Sequence, residues 1–345
     1  MIKLEGKNCL LLYNVAAGKP PEEMQEAEFE SILNVRDDVK AVRASLKELG
    51  VTVKTLALRR VSSKFTAQFE EAKADFVFNL CETLYNHEHK ALTEMYVASW
   101  LELLKMPYTG APPVSLLLAL NKVRSKQLLR GAGLPVASSV VVDLSEEASF
   151  DSITPPYIVK PVHEDGSFGI TKDSVVNTPK EAADQVAVIH EQYKQAALVE
   201  EYINGREITV PVFGNPPRVL GIGEIDFSGL SRKEPKIKSY DTKWKDDAPE
   251  TNAKFPAEVD TTLKNRLERL SIKAFQTLGC RDFGRIDFRI SESGKPYILE
   301  VNPNPDFSPD GEFGDSAKLA NITYTDMVKE ISENTLTRGT SVVFA

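Results

Sequence analysis

The first 110 residues alternate between two spacings of hydrophobic side chains. Residues 9–13 form an uninterrupted apolar run, as in a buried strand, whereas residues 39–49 place apolar side chains at helical intervals until Gly50 supplies a stop. Two more strand-like runs follow at 51–56 and 75–80, and a further helical segment at 95–104. Strands that alternate with helices in this way predict a parallel sheet in an α/β domain.

The last third of the chain predicts one long helix and a pair of strands. Apolar positions between 263 and 278 follow helical spacing, and Gly279 ends the pattern. Strand-like residues 285–290 and 297–301 come next, with a turn at 291–294 between them. The second half of the chain therefore predicts an α+β arrangement behind the parallel sheet.

Local signals divide the chain into three predicted units. Thr178, Pro179 and Glu181 form a capping box with proline at the first helical position, which predicts a helix up to about Tyr193. Residues 110–113 contain glycine and two prolines and mark the first boundary, and a hinge near Ala197 marks the second. We predict an N-terminal α/β domain, a central subdomain and a C-terminal subdomain with bounds of 1–112, 113–196 and 197–345.

Composition and charge restrict the classes of function. A chain of 345 residues with 42% hydrophobic content can form two or three domains with buried cores. Its formal net charge of −8 argues against a nucleic-acid partner, because phosphate backbones are bound by clustered lysine and arginine. No apolar run approaches the roughly 20 residues of a membrane span, and the first residues do not resemble a signal peptide. We expect a cytoplasmic protein with reduced cysteines that acts on small molecules and binds no membrane.

Three oxygen-bearing side chains come together on the predicted strand pair. Asp287 lies in the first strand, and Glu300 and Asn302 lie two residues apart at the end of the second, so they face the same side. Apolar neighbours flank both carboxylates, and a carboxylate in such surroundings is costly without a cation. Isolated acidic residues at strand ends are usually solvated, but this setting and these hard ligands predict a magnesium–nucleotide site.

A lysine and a glycine-bearing loop predict a site for phosphate. Lys160 ends the strand that begins at Tyr157, and Gly166 and Gly169 lie in the loop that follows, where backbone N–H groups could close over nucleotide phosphates. Taken alone, the pattern also fits a plain hairpin turn with a surface lysine. Residues 198–208 add a strand, a turn and another strand, a connector that can present its backbone edge to a purine.

Together, these segments resemble the ATP-grasp ligases, and within them the D-alanine:D-alanine ligases. The resemblance runs from about Phe78 to Phe307 and combines short motifs at 107–110, 121–126, 131–135, 166–169, 200–207, 284–288 and 300–303. Each motif is modest, but their order and spacing are specific. The resemblance implies an ATP-grasp fold behind an N-terminal parallel-sheet domain. It also implies an ADP-forming enzyme that joins a carboxylate to an amine through an acyl phosphate.

The resemblance assigns residues to the parts of ATP. Lysines and glycines are similar to the phosphate contacts of the family, and acidic side chains with one backbone group are similar to the adenosine contacts: Lys122, Lys160, Gly166, Gly169, Glu200, Ile203 and Glu207. Glu200 and the backbone of Ile203 match the adenine contacts, and Glu207 matches the ribose contact. The three oxygen-bearing side chains of the strand pair match the ligands of magnesium, normally two ions, with manganese as an alternative.

Three further residues resemble the catalytic groups of the family. Arg285 matches the arginine that stabilises the acyl phosphate and the tetrahedral intermediate. Lys243 resembles the lysine of a mobile lid over the γ-phosphate, and Ser167 resembles a loop serine near the substrate. The resemblance also implies a homodimer.

The substrate-binding segments depart from the family pattern. Residues 14–21 stand where the family has a glycine-rich acidic signature, 81–82 where it has His-Gly, and 304–306 where it has Pro-Gly. We expect Glu82 and Asp306 to face the substrates, a small carboxylate and a small amine. The departures leave the identity of both substrates open.

Other classes of function stay open at this point. Some ATP-grasp enzymes pass phosphate to a hydroxyl group as small-molecule kinases, and a nucleotide-binding module would lack catalysis altogether. Retention of the metal and phosphate residues favours an enzyme over such a module. The His87-x-His89 pair and the basic residues between 232 and 245, apart from Lys243, are interpreted as ordinary polar loops.

Overall fold

Three β-sheets organise the part of the chain that the computed structural model describes, namely residues 2–15, 26–82, 84, 92–164, 166–231, 233–244, 249 and 251–339. The strands are β1 (Asn8–Asn14), β2 (Thr52–Leu58), β3 (Phe76–Leu80), β4 (Ser139–Val142), β5 (Tyr157–Pro161), β6 (Val175–Val176), β7 (Ala197–Glu201), β8 (Gly205–Phe213), β9 (Arg218–Val219), β10 (Gly223–Ile225), β11 (Ala253–Lys254), β12 (Phe283–Ser291) and β13 (Pro296–Asn302). The sheets follow one another along the chain, which agrees with the predicted sequence of structural units.

Helices cover these sheets. They are α1 (Glu26–Glu48), α2 (Ser63–Ala72), α3 (Thr93–Leu103), α4 (Pro113–Leu120), α5 (Lys122–Gly131), α6 (Pro179–Tyr193), α7 (Tyr240–Trp244), α8 (Thr261–Thr277), α9 (Glu312–Leu319) and α10 (Tyr324–Arg338). Among the described residues, no helix combines the length and the apolar character of a membrane-spanning segment.

The N-terminal sheet has the strand order β2-β1-β3, and both pairings are parallel. Leu10, Leu11 and Leu12 of the central strand β1 are all buried, because helices or other elements cover both faces of a parallel sheet. The continuous apolar run that predicted this strand is therefore a consequence of its central position. The predicted parallel sheet is confirmed.

The central sheet is antiparallel, in the order β4-β7-β5-β6, and α6 packs against it. The predicted capping box is present: Thr178 accepts from the backbone N–H of Glu181, whose carboxylate accepts from the backbone N–H of Thr178. Strand β7 pairs with β4 and β5, so this sheet continues past residue 196. The domain limits themselves stay a prediction.

The C-terminal sheet follows the order β11-β10-β8-β12-β13, with β9 beside β8. Buried residues Leu267, Leu270 and Ala274 of α8 pack against Ile286 and Phe288 on one face of β12. The amphipathic helix and the strand pair that the sequence predicted are both present. The opposite face of β12 carries polar side chains.

A β-bulge interrupts the pairing of β12 with β13. Asp287 pairs with Glu300 and Phe288 pairs with Ile298, so Leu299 has no partner residue in β12. Ile298 and Val301 both join the hydrophobic core, although residues three apart in an unbroken strand point to opposite faces. The bulge therefore keeps the apolar side chains of β13 in the core while Glu300 faces the other side.

The N-terminal and C-terminal units share one hydrophobic core. Leu11 and Phe78 of the N-terminal sheet belong to the same cluster as Phe283, Phe307 and Phe313. Helix α10 contributes further apolar side chains, at residues 327, 328 and 331. This shared core fixes the N-terminal sheet against the C-terminal strand pair.

Asp282 adds a buried polar link between the same units. The carboxylate is fully buried and accepts two hydrogen bonds from Arg338, at 2.9 and 3.0 Å, one from Asn215 and one from the backbone N–H of Gly110. Arg338 also donates to the carbonyl of Tyr108, at 3.0 Å. One carboxylate thus connects the 108–110 segment to the C-terminal helix.

We predict that Asp282→Ala lowers the free energy of unfolding by about 3 kcal/mol or more, because it leaves Arg338 without its buried counter-charge. Urea denaturation followed by circular dichroism measures the change. The control is Asp37→Ala, since Asp37 is exposed and its ion pair with Lys40 is exposed as well. That control is expected to shift stability by about 0.5 kcal/mol or less. Equal effects of the two substitutions would contradict the proposed link.

Candidate active site

A cavity of about 580 Å³ opens between the central and the C-terminal sheets. Its lining contains most of the residues to which the sequence assigned a role: Lys122, Lys160, Gly166, Ser167, Glu200, Ile203, Glu207, Lys243, Arg285, Asp287, Glu300, Asn302 and Asp306. Two predicted site residues, Gly169 and Glu82, lie outside this lining. Residues distant in the sequence therefore meet around one space.

The polar face of β12 and β13 forms one end of the cavity. Arg285 pairs with Asn302 across the strands, and Asp287 pairs with Glu300, so four polar side chains occupy one face. The guanidinium of Arg285 donates to both carboxylate oxygens of Asp287, at 2.9 to 3.0 Å, and lies 3.4 Å from a carboxylate oxygen of Glu312. The sequence did not indicate Glu312, which reaches the site from the first turn of α9.

The donor set at this end fits magnesium. Two carboxylates and one amide are hard oxygen ligands, and magnesium fills its remaining positions with water and phosphate oxygens. Asp287 is only 8% exposed, so its carboxylate needs a positive partner, which Arg285 supplies. Among the described residues, no group of three or more His, Cys, Asp or Glu side chains is arranged around a common point for a metal. His87 and His89 lie outside the described residues.

Another part of the cavity contains a buried charge cluster around Glu200. Its carboxylate forms ion pairs with Lys160 and with Lys126, the latter at 2.7 Å, and all three side chains are less than 10% exposed. Burial acts to raise the pKa of Glu200, but the two ammonium groups outweigh burial and bring the pKa down to about 2. The carboxylate is therefore ionised, and it can accept hydrogen bonds.

Arg289 organises the connector between β7 and β8, and the sequence analysis missed it. Its guanidinium donates to the carbonyl of Ile203 at 3.0 Å, to Glu207 at 3.1 Å and to the hydroxyl of Tyr202 at 3.1 Å. Burial raises the pKa of Glu207, although Arg289 acts in the opposite direction. Arg289 follows Arg285 and Asp287 at the two-residue period of β12, and this spacing was the available signal.

Lys122 and Lys160 lie on the same wall of the cavity. Lys122 begins α5 directly after the cap residue Asn121, and its ammonium donates to the backbone carbonyl of Glu164. Glu164 lies in the loop between Lys160 and Gly166, so both predicted phosphate-binding lysines border that loop. Their positions suit contact with an anionic ligand.

The glycine loop packs against the predicted lid. Ser167 donates to the carbonyl of Lys238 at 2.8 Å, and the backbone N–H of Tyr240 donates to the carbonyl of Ile170 at 2.8 Å. A Cβ placed on Gly166 would lie 3.8 Å from the ammonium of Lys243. The lid motif, which forms the short helix α7, therefore closes over the loop.

Gly169 has a packing role in this arrangement. A Cβ at this position would approach the ring of Pro161 to 2.7 Å, and its positive φ of 73° favours glycine. Its place outside the cavity lining agrees with that role. Contact between Gly169 and phosphate stays a prediction.

An acidic region adjoins the cavity on the side of the N-terminal sheet. Asp306 lies in the cavity lining, and both Asp306 and Glu82 act on Asp38 of α1. Burial, together with these two carboxylates and Asp37, raises the pKa of Asp38 from 3.8 to about 7. The two residues predicted to face the substrates thus share one electrostatic environment, to which Asp38 adds a group that the sequence did not indicate.

The cysteines take no part in the site chemistry. Cys9, Cys81 and Cys280 are free and buried. Burial raises the pKa of the Cys9 and Cys280 thiols to about 12, and it raises that of Cys81 well above 9. Because the thiolate is the nucleophilic form, a raised pKa disfavours a nucleophilic role for these thiols.

Comparisons with known proteins identify the family. The family profile described as "D-ala D-ala ligase C-terminus" matches residues 128–333. A D-alanine–D-alanine ligase of Chelativorans sp. is 34% identical over 280 residues, which cover 79% of this chain and 85% of that protein. This chain belongs to the D-alanine–D-alanine ligase family. The predicted class of enzyme, an ATP-dependent ADP-forming ligase, is thereby confirmed.

Other related proteins and solved structures support the same family and the same fold. A D-alanine–D-alanine ligase of Bartonella henselae is 30% identical over 79% of this chain and 85% of that protein. The uncharacterized protein y4sG of Sinorhizobium fredii is 34% identical over 74% of this chain and 73% of that protein. The crystal structure of D-alanine–D-alanine ligase from Bacillus anthracis has a TM-score of 0.73 at 22% identity and covers 96% of this chain and 98% of that chain. This likeness confirms the predicted ATP-grasp fold, and the family uses ATP and magnesium.

We predict that the stability of the folded protein depends on the pH through Asp38. Because its pKa is higher in the folded state, at about 7, than its ordinary 3.8, the folded state retains a proton that the unfolded chain releases. The free energy of unfolding therefore falls as the pH rises from about 4 to about 7. Asparagine carries no titratable carboxyl group, so Asp38→Asn removes this fall in the free energy of unfolding. The variant is therefore expected to be more stable than the parent at pH 8 but not at pH 4.

Urea denaturation at both pH values measures this difference. The control is Asp184→Asn at an exposed position of α6, which is not among the carboxylates that act on Asp38, and it is expected to leave the pH dependence as in the parent. Parallel pH profiles for the parent and Asp38→Asn would contradict the assignment.

Proposed function

We propose that this ligase phosphorylates a small carboxylate substrate with ATP and joins it to a small amine, so that two amino acids, or an amino acid and another amine, become linked. The observation that carries the proposal is the shared polar face of β12 and β13. There Arg285 lies beside Asp287, Glu300 and Asn302 at one end of a cavity bordered by lysines. A cation-binding group and a permanent positive charge thus adjoin a single reaction space.

The chemistry explains why these groups are needed together. A carboxylate reacts poorly with amines because its leaving group is poor, whereas an acyl phosphate has a good one. Arg285 is placed to stabilise the negative charge that develops on the acyl phosphate and after amine attack. Lys122 and Lys160 would offset the charge of the phosphates. Magnesium, held by Asp287, Glu300 and Asn302, would supply further charge neutralisation at the transferred phosphoryl group.

The nucleotide is proposed to lie with its base at the Glu200 end of the cavity. The ionised carboxylate of Glu200 can accept a hydrogen bond from the exocyclic amine of adenine, and the backbone of Ile203 borders the same space. Glu207, held by Arg289, would contact the ribose. In this orientation the phosphates would lie near Lys122 and the metal-binding face, within reach of Lys160, which borders the base end as well.

The lid supports the proposal because acyl phosphates are hydrolysed by water. Ser167 and Lys238, and Ile170 and Tyr240, are hydrogen-bonded between the loop and the lid. Lys243 lies at this junction, where it could contact the terminal phosphate. Closure of this kind excludes water from the reaction and retains the intermediate.

The substrate side is proposed to differ in detail from that of the D-alanine ligases. Asp306, Asp310, Glu312 and Asp315 line the cavity near α9. Such carboxylates complement the positive charge of an amine-bearing substrate. The buried, reduced cysteines also support work in the cytoplasm.

We predict that Arg285→Met lowers kcat for ADP release by about 100-fold or more, because it removes a charge that stabilises the developing anion. The measurement is ADP release from MgATP across D- and L-amino acids and small amines, offered singly and in pairs, with mass analysis of the products. The matched control is Arg206→Met, which removes a surface ion pair with Glu224 outside the cavity lining. That control should keep nearly the parent rate.

The same assay separates ligation from phosphoryl transfer to a hydroxyl group. Turnover that requires both a carboxylate and an amine, with a condensed product, supports ligation. ADP release that needs only a hydroxyl compound and yields a phosphate ester would support a kinase and overturn the proposal.

We also propose that the protein is a homodimer that associates through α3 and α4. These helices pack together and expose large apolar side chains. The exposed fraction is 83% for Leu103, 51% for Val114 and 45% for Leu117. Exposed apolar side chains on adjoining helices are typical of association surfaces.

We predict that Leu103→Glu combined with Leu117→Glu converts the dimer to a monomer, because two charges would be buried at the interface. Size-exclusion chromatography with light scattering measures the mass. The control is Leu144→Glu, at a position that is also exposed but lies after β4, and it should remain dimeric. A monomeric parent protein would contradict this proposal.

A further inference from the structure

Lys126 is a buried lysine that contacts two parts of the active site without lining the cavity. It lies in α5 and is 3% exposed. Its ammonium lies 2.7 Å from a carboxylate oxygen of Glu200 and donates to the carbonyl of Leu299 at 3.1 Å. Lys160, the other partner of Glu200, does line the cavity. The two lysines therefore differ in their access to a ligand.

The buried position of Lys126 is costly by itself. Burial lowers the pKa of its ammonium group, which shows that the surroundings disfavour the charge, while Glu200 acts in the opposite direction. One lysine, Lys160, would be sufficient to neutralise the single charge of Glu200. A buried ion pair often adds little net stability, so the second lysine is poorly explained by stability alone.

The two lysines separate in role when a nucleotide binds. Lys160 is proposed to contact phosphate, and contact with phosphate would weaken or break its ion pair with Glu200. Lys126 is buried and is not part of the cavity lining, so its pair with Glu200 would persist. Lys126 would then hold the carboxylate ionised and in place while adenine is bound.

The carbonyl of Leu299 anchors this ammonium. Leu299 is the bulged residue without a partner in β12, and it directly precedes Glu300. A backbone carbonyl in this position benefits from a donor, and Lys126 supplies one. Because β13 is fixed by its ladder and by the core, the Lys126 ammonium has a defined position relative to Glu200.

We propose that Lys126 is a positioning residue that fixes the carboxylate of Glu200 for the exocyclic amine of adenine and so sets the preference for adenine nucleotides. This inference rests on the proposed adenine contact of Glu200. Its chemical basis is the difference between adenine, which has a 6-amino donor, and hypoxanthine, which has a 6-oxo acceptor in the same place. A carboxylate held in place accepts from the first and repels the second.

The experiment compares the affinities of the full-length protein for ATP and ITP by isothermal titration calorimetry with magnesium, which needs no knowledge of the other substrates. Lys126→Met is expected to reduce the preference for ATP over ITP by about tenfold or more, through weaker ATP binding. The matched control Lys160→Met removes the other partner of Glu200. This control is expected to weaken the binding of ATP and the binding of ITP by similar factors, because Lys160 is proposed to contact the phosphates that both nucleotides share.

Glu200→Gln separates this inference from the function on which it rests. If Glu200→Gln leaves the preference unchanged, the adenine contact itself is wrong, and the inference falls with it. If Glu200→Gln lowers the preference but Lys126→Met does not, the adenine contact stands and the role of Lys126 is overturned. If Lys126→Met weakened the binding of ATP and ITP equally, the positioning role of Lys126 would also be overturned, since a merely structural role predicts that result.

A second substitution of Lys126 keeps the test possible if the first variant does not fold. Lys160 still pairs with Glu200 in Lys126→Met, so the carboxylate is not left without a counter-charge. Lys126→Gln keeps a donor of similar length but no charge, and it carries the same test if Lys126→Met does not fold. The expected result is again a reduced preference for ATP, and an unchanged preference would overturn the proposal.

Discussion

The pairing of Asp287 with Glu300 across β12 and β13, with the bulge beside it, is the constraint on which the active site depends. An unbroken antiparallel ladder would place Ile298 and Glu300 on the same face and would force either a carboxylate into the core or an apolar side chain out of it. The unpaired residue Leu299 resolves this conflict. One face of the strand pair packs on α8, and the other gathers acidic, amide and guanidinium groups. Burial of the apolar face therefore fixes the geometry of the polar face.

Charge compensation is the second organising feature, and it explains how the cavity can hold buried charges. Arg285 pairs with Asp287, Lys160 pairs with Glu200, and the ammonium of Lys122 donates to a backbone carbonyl. We expect phosphate and magnesium to exchange with these protein partners, because a bound ligand offers similar charges at the same places. These three charged groups thus have partners within the protein itself.

The N-terminal sheet contributes by its position. Its core continues into Phe283, at the start of β12, and into Phe307 and Phe313, which flank the acidic segment near α9. Asp282 and Arg338 reinforce the same junction. Consequently Asp38 of the N-terminal unit lies close enough to Asp306, and to Glu82, for their charges to act on it. Two departures from the family pattern, at 81–82 and 304–306, lie on this side, which is the side proposed for the substrates. Apart from Gly169, the residues that resemble the nucleotide contacts of the family line the rest of the cavity.

The sequence by itself determined the elements with strong local signals: the buried strand β1, the capped helix α6, the amphipathic helix α8 and the strand pair β12–β13. It also predicted oxygen ligands for magnesium from residue types and spacing, and two lysines for phosphate with the help of the family resemblance; these roles stay predictions. Only the tertiary structure decided which buried charges meet. Lys126, Arg289, Glu312 and Asp38 each meet a charged group from a segment distant in the chain. The two-residue period of β12 indicates which face Arg289 occupies, but no local pattern reveals the charged group that any of the four meets. Long-range packing, which depends on the whole fold, brings these groups together.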